Sequence, residues 1–268
     1  MARTKTLSVL TCLLLSLSII SPSGAQILNI DKSDTANYSS KARINFTLTT
    51  GVEIDKQKTT LYDATNAADL LIQKNRELYI ASASYRFTYN GPDDFLNAGY
   101  IHLRVRHNYK NKFAPEAFTQ YQWDNKRGLL SRALAGINYR YNFWKANKID
   151  FNAGAGFMYE AEKWNYEAVD SPKIPSPAPP VVSKNIKFNS YIRLDWKANA
   201  NSDVAVTVFI QTKPDRFQPR IAPLVQWNIQ AGKHVGFTIG ISALYDVAPV
   251  VPISHFYYNF SQSLLLKW

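Results

Sequence analysis

Taken every second residue, the stretch Phe256 to Trp268 splits into two unlike faces. Phe256, Tyr258, Phe260, Leu264, Leu266 and Trp268 share one face, and only Gln262 breaks its apolar run. Tyr257, Asn259, Ser261, Ser263, Leu265 and Lys267 share the other, more polar face. A period of two belongs to a β-strand, because successive Cβ atoms point to opposite sides of the sheet. Thirteen residues of such alternation is more than twice the ~5–6 of strands in soluble sheets. An oily face of that length has to lie against an equally extended apolar medium.

The same alternation runs through most of the chain from Lys41 onward. Ile44, Phe46, Leu48 and Val52 oppose Arg43, Asn45, Thr47 and Glu53. Tyr79, Ala81, Tyr85 and Phe87 oppose Ser82, Ser84 and Arg86, and Ile101, Leu103 and Val105 oppose His102, Arg104 and Arg106. Later segments repeat the pattern, ending with Val235 to Tyr245 and the terminal stretch. Twelve strands result, bracketed by ten and fourteen. Every second connection is short, as at Asn108–Lys112 and Ala231–Lys233, whereas Lys163–Asn185, Lys213–Gln218 and Asp246–Ser254 lie among the intervening ones. An even count of long strands with unequal rims predicts a transmembrane antiparallel up-and-down β-barrel over residues 41–268. Aromatics at strand ends agree with interface girdles: Trp144, Trp196, Trp227 and Trp268 on the short-turn side, Trp123 and Trp164 on the long-loop side.

The amino-terminal residues read as an export signal. Arg3 and Lys5 precede the apolar run Leu7–Ile20, and Ser23-Gly24-Ala25 offers a cleavage site after Ala25. Residues 26–40 are polar and form a periplasmic lead-in. Cys12 lies inside the signal, so the exported chain has no cysteine for disulfide, thiolate or zinc chemistry. Mean hydropathy is -0.25 and 19% of residues are charged, values in the soluble range. Alternation hides a barrel from such averages, because lumen and lipid residues cancel. The formal charge of +11 follows no stripe along one element, which argues against nucleic acid as a partner.

Within Ala117–Trp164, Leu130 and Arg132 follow an aromatic strand that ends near Asp124. Gly136-x-x-Tyr139-Arg140, then Gly154-x-Gly156, then the acids beyond Tyr159 complete the pattern. This stretch resembles the DUF481 family of outer-membrane proteins, which includes a salt-stress-induced outer-membrane protein. The resemblance implies a barrel of unassigned activity and supplies no substrate or catalytic residue. The terminal strand also resembles the carboxy-terminal targeting strand of bacterial outer-membrane barrels. That implies export to the outer membrane and recognition of Phe256, Tyr258, Phe260, Leu264, Leu266 and Trp268 by the barrel assembly machinery. Outer-membrane lipids are the other expected partner, and the oligomeric state stays open.

Catalytic signals are weak. His102, His107, His234 and His255 have no metal-ligand spacing, and no GxSxG is present. No cofactor, metal or catalytic residue is expected. Alternation points Arg43, Arg86, Arg104, Arg106, Arg132, Arg140, Arg193, Lys187 and Arg220 into the lumen, with Glu53, Glu116, Glu160 and Asp195. Two functions follow: a non-enzymatic structural or envelope-stress barrel filled by ion pairs, or a narrow anion-favouring pore. Rival readings are an outer-membrane lipid-acting enzyme and surface adhesion through the proline-rich loop 163–185.

Overall fold

The computed structural model describes residues 41–56, 60–89, 95–146 and 148–267. The export signal, the lead-in and Trp268 fall outside them, as does the Glu53 side chain. Twelve strands follow one another: β1 (Arg43–Lys56), β2 (Thr60–Lys74), β3 (Glu77–Tyr89), β4 (Phe95–His107), β5 (Phe113–Asp124) and β6 (Leu129–Lys145). Then come β7 (Ile149–Trp164), β8 (Val181–Asn199), β9 (Ser202–Thr212), β10 (Arg220–Gln230), β11 (Val235–Asp246) and β12 (Phe256–Lys267). Each pairs antiparallel with its sequence neighbours, and β1 pairs with β12, so the expected twelve-strand barrel closes.

Alternation decides which side of the wall each residue occupies. Ile44, Val52, Ile137 and Ile186 each leave more than 60% of their surface uncovered on the outside. A contiguous apolar exterior of this kind is foreign to a soluble monomer. It suits a bilayer, where closure also matters because an open strand edge would leave N–H and C=O groups in hydrocarbon. Rings thicken the rim at the short turns: Phe113 lies 4.7 Å from Tyr141, Tyr141 4.5 Å from Phe143, and Phe143 5.3 Å from Phe151.

Local chemistry sets the turns. Asn75 and Asn108, both in short turns, adopt left-handed φ of 53° and 49°, a conformation asparagine tolerates better than other side-chain-bearing residues. Pro223 sits inside β10, and the ladder to β11 is interrupted between Ile221 and Leu224, where proline has no N–H to donate. The loop expected at 163–185 is shorter than the sequence suggested. Lys163 pairs with Val182 and Glu162 with Ser183, so β7 and β8 continue and only residues 165–180 connect them. Pairing there outruns the apolar belt that marks strands in the sequence.

One glycine is indispensable to the β6–β7 ladder. A Cβ on Gly156 would stand 2.0 Å from the Ile137 carbonyl oxygen, and neither backbone can retreat without breaking hydrogen bonds. Gly156→Val is expected to destabilise the barrel by at least the ~1–3 kcal/mol of overpacked cores. Gly232→Ala, in open space, should be near neutral. Urea unfolding of the two variants, followed by the gel-mobility shift between folded and unfolded barrel, checks this.

Candidate functional site

The interior is divided. On one side, charged side chains from five strands meet near the long-loop end. Register explains their convergence: Arg132 on β6 faces Glu162 on β7, Met158 two residues below Glu160 faces Lys187 on β8, and Arg220 on β10 faces Asp246 on β11. Arg132 Nε donates to Glu160 Oε2 at 2.8 Å and lies 3.2 Å from Glu162 Oε1, and its Nη2 also bonds Glu160. Lys187 Nζ is 2.5 Å from Glu160 Oε1. Arg220 Nη1 donates to Glu162 Oε1 at 2.9 Å, and its Nε to Asp246 Oδ2 at 2.7 Å. Three cations thus face three carboxylates, all buried. Gln122 and Gln211 accept further bonds from Arg132.

An apolar cap covers this cluster. Leu129, Trp164, Val169, Val251 and Ile253 pack together, with Tyr166, Val250 and Tyr257 against them. They come from strand ends and from the two connections 165–180 and 247–255, which fold inward. Arg127, in a single 3-10 turn at Asn125–Arg127, places its guanidinium 4.2 Å from the Tyr257 ring centre and 5.8 Å from that of Trp164. Burial pushes this group down from its ordinary range, and Asp124 and Tyr257 oppose the shift. Gly128 ends the turn at φ 75°, with a hypothetical Cβ only 2.7 Å from the Asn165 side chain.

Below the cluster, Arg106 Nε donates to Glu116 Oε1 at 2.5 Å and the Tyr191 hydroxyl donates to Glu116 Oε2 at 2.9 Å. Arg104 lies over the Phe118 and Tyr191 rings, 3.9 Å from the same carboxylate. Arg193 pairs with Asp195, Arg86 with Asp63, and Arg140 donates to Asn142. Arg43 is exposed at the short-turn end, away from these groups. The Glu53 backbone stands opposite Asp63. The rest of the lumen, lined from β1–β5 and β10–β12 largely by small and polar residues, retains a cavity of about 250 Å³.

Trp144, Trp196 and Trp227 are exposed on the outside at the short-turn end. Trp144 gets there through a register shift between Asn142 and Trp144, which puts Phe143 and Trp144 on the same face. Trp123 is half-buried and donates to Asn97 Oδ1 at 2.7 Å. Trp164 requires a correction. It is 2% exposed and part of the inner cap, because it shares the inward parity of Glu160 and Glu162. Of the terminal strand, Phe256, Tyr258, Phe260 and Leu264 lie exposed on the outside and Leu266 is half-covered. Sequence reasoning left Glu162, Gln122, Gln211 and Asp246 out of the site. It also left out Leu71, Leu78, Ile80, Tyr100 and Tyr109, which form an apolar cluster toward the short-turn end. Inward parity was available for Glu162, but the inward aliphatics look like lipid-facing residues until the register is known.

The sequence matches the family described as "Protein of unknown function, DUF481" over residues 63–218. The chain belongs to this family. The matched region of this DUF481 member holds Arg132, Glu160, Glu162 and Lys187, while Arg220 and Asp246 lie beyond it. No curated protein matches the sequence. Among solved structures, the translocator domain of the autotransporter NalP from Neisseria meningitidis is similar, with a TM-score of 0.48 and 10% identity. The alignment covers 87% of this chain and 90% of that one. The COG4313 outer membrane channel from Pseudomonas putida F1 has a TM-score of 0.46 and 9% identity, covering 89% and 98%. An anion-selective porin from Comamonas acidovorans has a TM-score of 0.36 and 7% identity, covering 85% and 100%. The barrel assignment rests on this chain's own strand pairing.

Removing one member of a buried ion cluster leaves its partners uncompensated, at about 3–5 kcal/mol. Glu160→Gln sets Arg132, Lys187 and Arg220 against a neutral group and should fall in that range. Glu160→Met combined with Arg132→Met should cost less than the sum of its single changes. A double-mutant cycle in urea unfolding measures the coupling.

Proposed function

We propose that this DUF481 protein is a non-enzymatic barrel of a bacterial outer membrane whose lumen is closed to ions at the long-loop end. The observation that carries the reading is the neutralised cluster of Arg132, Lys187 and Arg220 with Glu160, Glu162 and Asp246 beneath an apolar cap. Ions crossing the barrel there would have to displace both layers. The exposed apolar belt and the aromatic rims support the membrane setting, with outer-membrane lipids as the surrounding partner. In this reading the short turns face the periplasm, and the outward aromatic face of β12 is the surface offered to the assembly machinery.

The anion-pore alternative draws less support from the geometry. Selectivity for anions needs arginine charge directed at a water path, whereas Arg86, Arg106, Arg132, Arg193 and Arg220 each face a carboxylate. The surroundings of the histidines favour a non-catalytic role: His102 meets Gln120, His107 meets Glu77, and His255 meets the Asp246 carbonyl. None of these partners is a nucleophile of the serine-hydrolase type.

Ion conductance across a planar bilayer tests the reading. The folded, inserted protein is expected to be silent, and Val251→Asp with Ile253→Asp and Glu160→Gln, which disturbs both layers, should give conductance steps. Stable anion-favouring steps from the unaltered protein, weakened by Arg104→Glu with Arg140→Glu, would establish the pore instead.

A further inference from the structure

The hollow half of the lumen differs in chemistry from the filled half. We infer that its cavity, about 250 Å³ in volume, is a binding site for a small uncharged polyol of monosaccharide size. The hydroxyl-bearing residues Thr65, Ser84, Thr238, Ser242, Ser261 and Ser263 line it from β2, β3, β11 and β12. Gln226 and Asn259 add amides, and Gln122 and Asn228, whose oxygens already accept from Arg132 and Thr238, line it as well. Each of these groups can both donate and accept, which is what a ligand made of hydroxyl groups requires of its surroundings.

The charged residues of the lining are already engaged. Arg86 pairs with Asp63 at 2.8 Å, Asp69 accepts from Ser82 at 2.8 Å, and Asp124 accepts from the Arg127 backbone N–H at 3.4 Å. Each of these three charged groups thus has a partner, and hydroxyl and amide groups outnumber them in the described lining, which favours a neutral, hydroxylated occupant. Tyr100, Leu224 and Leu265 supply apolar surface against which the C–H faces of a polyol can rest. The volume falls below the ~300–1,000 Å³ of sites for drug-sized ligands, which limits the occupant to a small molecule.

The space is built into the sequence rather than left by loose packing. Gly240 faces Ser261 across the β11–β12 ladder, and a Cβ there would stand 2.6 Å from the Ser261 hydroxyl oxygen. Ala67 and Ala98 hold inward positions on β2 and β4, where larger side chains would fill the cavity as Arg132, Tyr191 and Glu160 fill the other half.

The test is titration calorimetry on the detergent-folded barrel with glucose and sorbitol, using gluconate and glucosamine as charged probes of similar size. Saturable binding of a neutral probe is expected, at least tenfold tighter than either charged one. Gly240→Leu should abolish it by occlusion. Thr65→Val with Ser261→Ala removes two hydroxyls without adding bulk, and should weaken binding tenfold or more in a barrel of unchanged gel mobility. Absence of saturable binding by both neutral probes, equal or tighter binding of a charged probe, or unaltered affinity in the folded Thr65→Val, Ser261→Ala protein would overturn the inference. Conductance plays no part in the readout, so this test and that of ion closure fail independently.

Discussion

Closure of the backbone ladder is the constraint on which the rest of this molecule depends. A strand wall standing in hydrocarbon must satisfy its own N–H and C=O groups, and only a ring does so without an edge. The ring is completed where Thr47 to Thr50 pair with Leu264 to Lys267, the shortest described stretch of pairing in the wall. Once the ring exists, every residue is committed to lipid or lumen by parity alone. A slip of one residue would send Arg104 and Arg106 into the bilayer and Leu103 and Val105 inward. The large cost of that exchange makes the register a property of the whole sequence rather than of any single turn.

Inside the ring, burial of charge is tolerable because opposite charges arrive together. Glu160 and Glu162 lie two residues apart on one strand and reach cations from β6, β8 and β10. Such a cluster adds little net stability over an apolar filling, yet breaking it is costly, so it holds the lumen to one arrangement. The cap above exploits the same geometry differently. Arg127 leaves water for the faces of Tyr257 and Trp164, joining the charged layer to the apolar one. The other half of the lumen has small residues at equivalent inward positions, and there the ring encloses space.

The exterior was legible in the sequence because it obeys period two over long spans, as in Phe256 to Leu264 or Tyr79 to Phe87. Interior partners were less so. That Arg132 meets Gln211 as well as Glu160 depends on distance across the lumen, which no local pattern carries. Trp164 shows a different failure: its place at a strand end suggested a membrane interface, while its parity with Glu160 pointed inward. Trp144 is the reverse case, since its parity points inward and a bulge turns it out. Leu71, Leu78 and Ile80 are apolar on the polar side of their strands, and packing with Tyr100 and with Tyr109 from a turn gives them a reason.

One parity faces lipid, and the other lines or fills the barrel. Fluorescence quenching by lipids with brominated acyl chains measures this directly, using variants that retain a single tryptophan. Trp196 and Trp227 should be strongly quenched, and Trp164 should be protected although it too sits at a strand end. Quenching of Trp164 equal to that of Trp196 would contradict the account, placing the cap residues in the membrane and leaving the charged cluster uncovered.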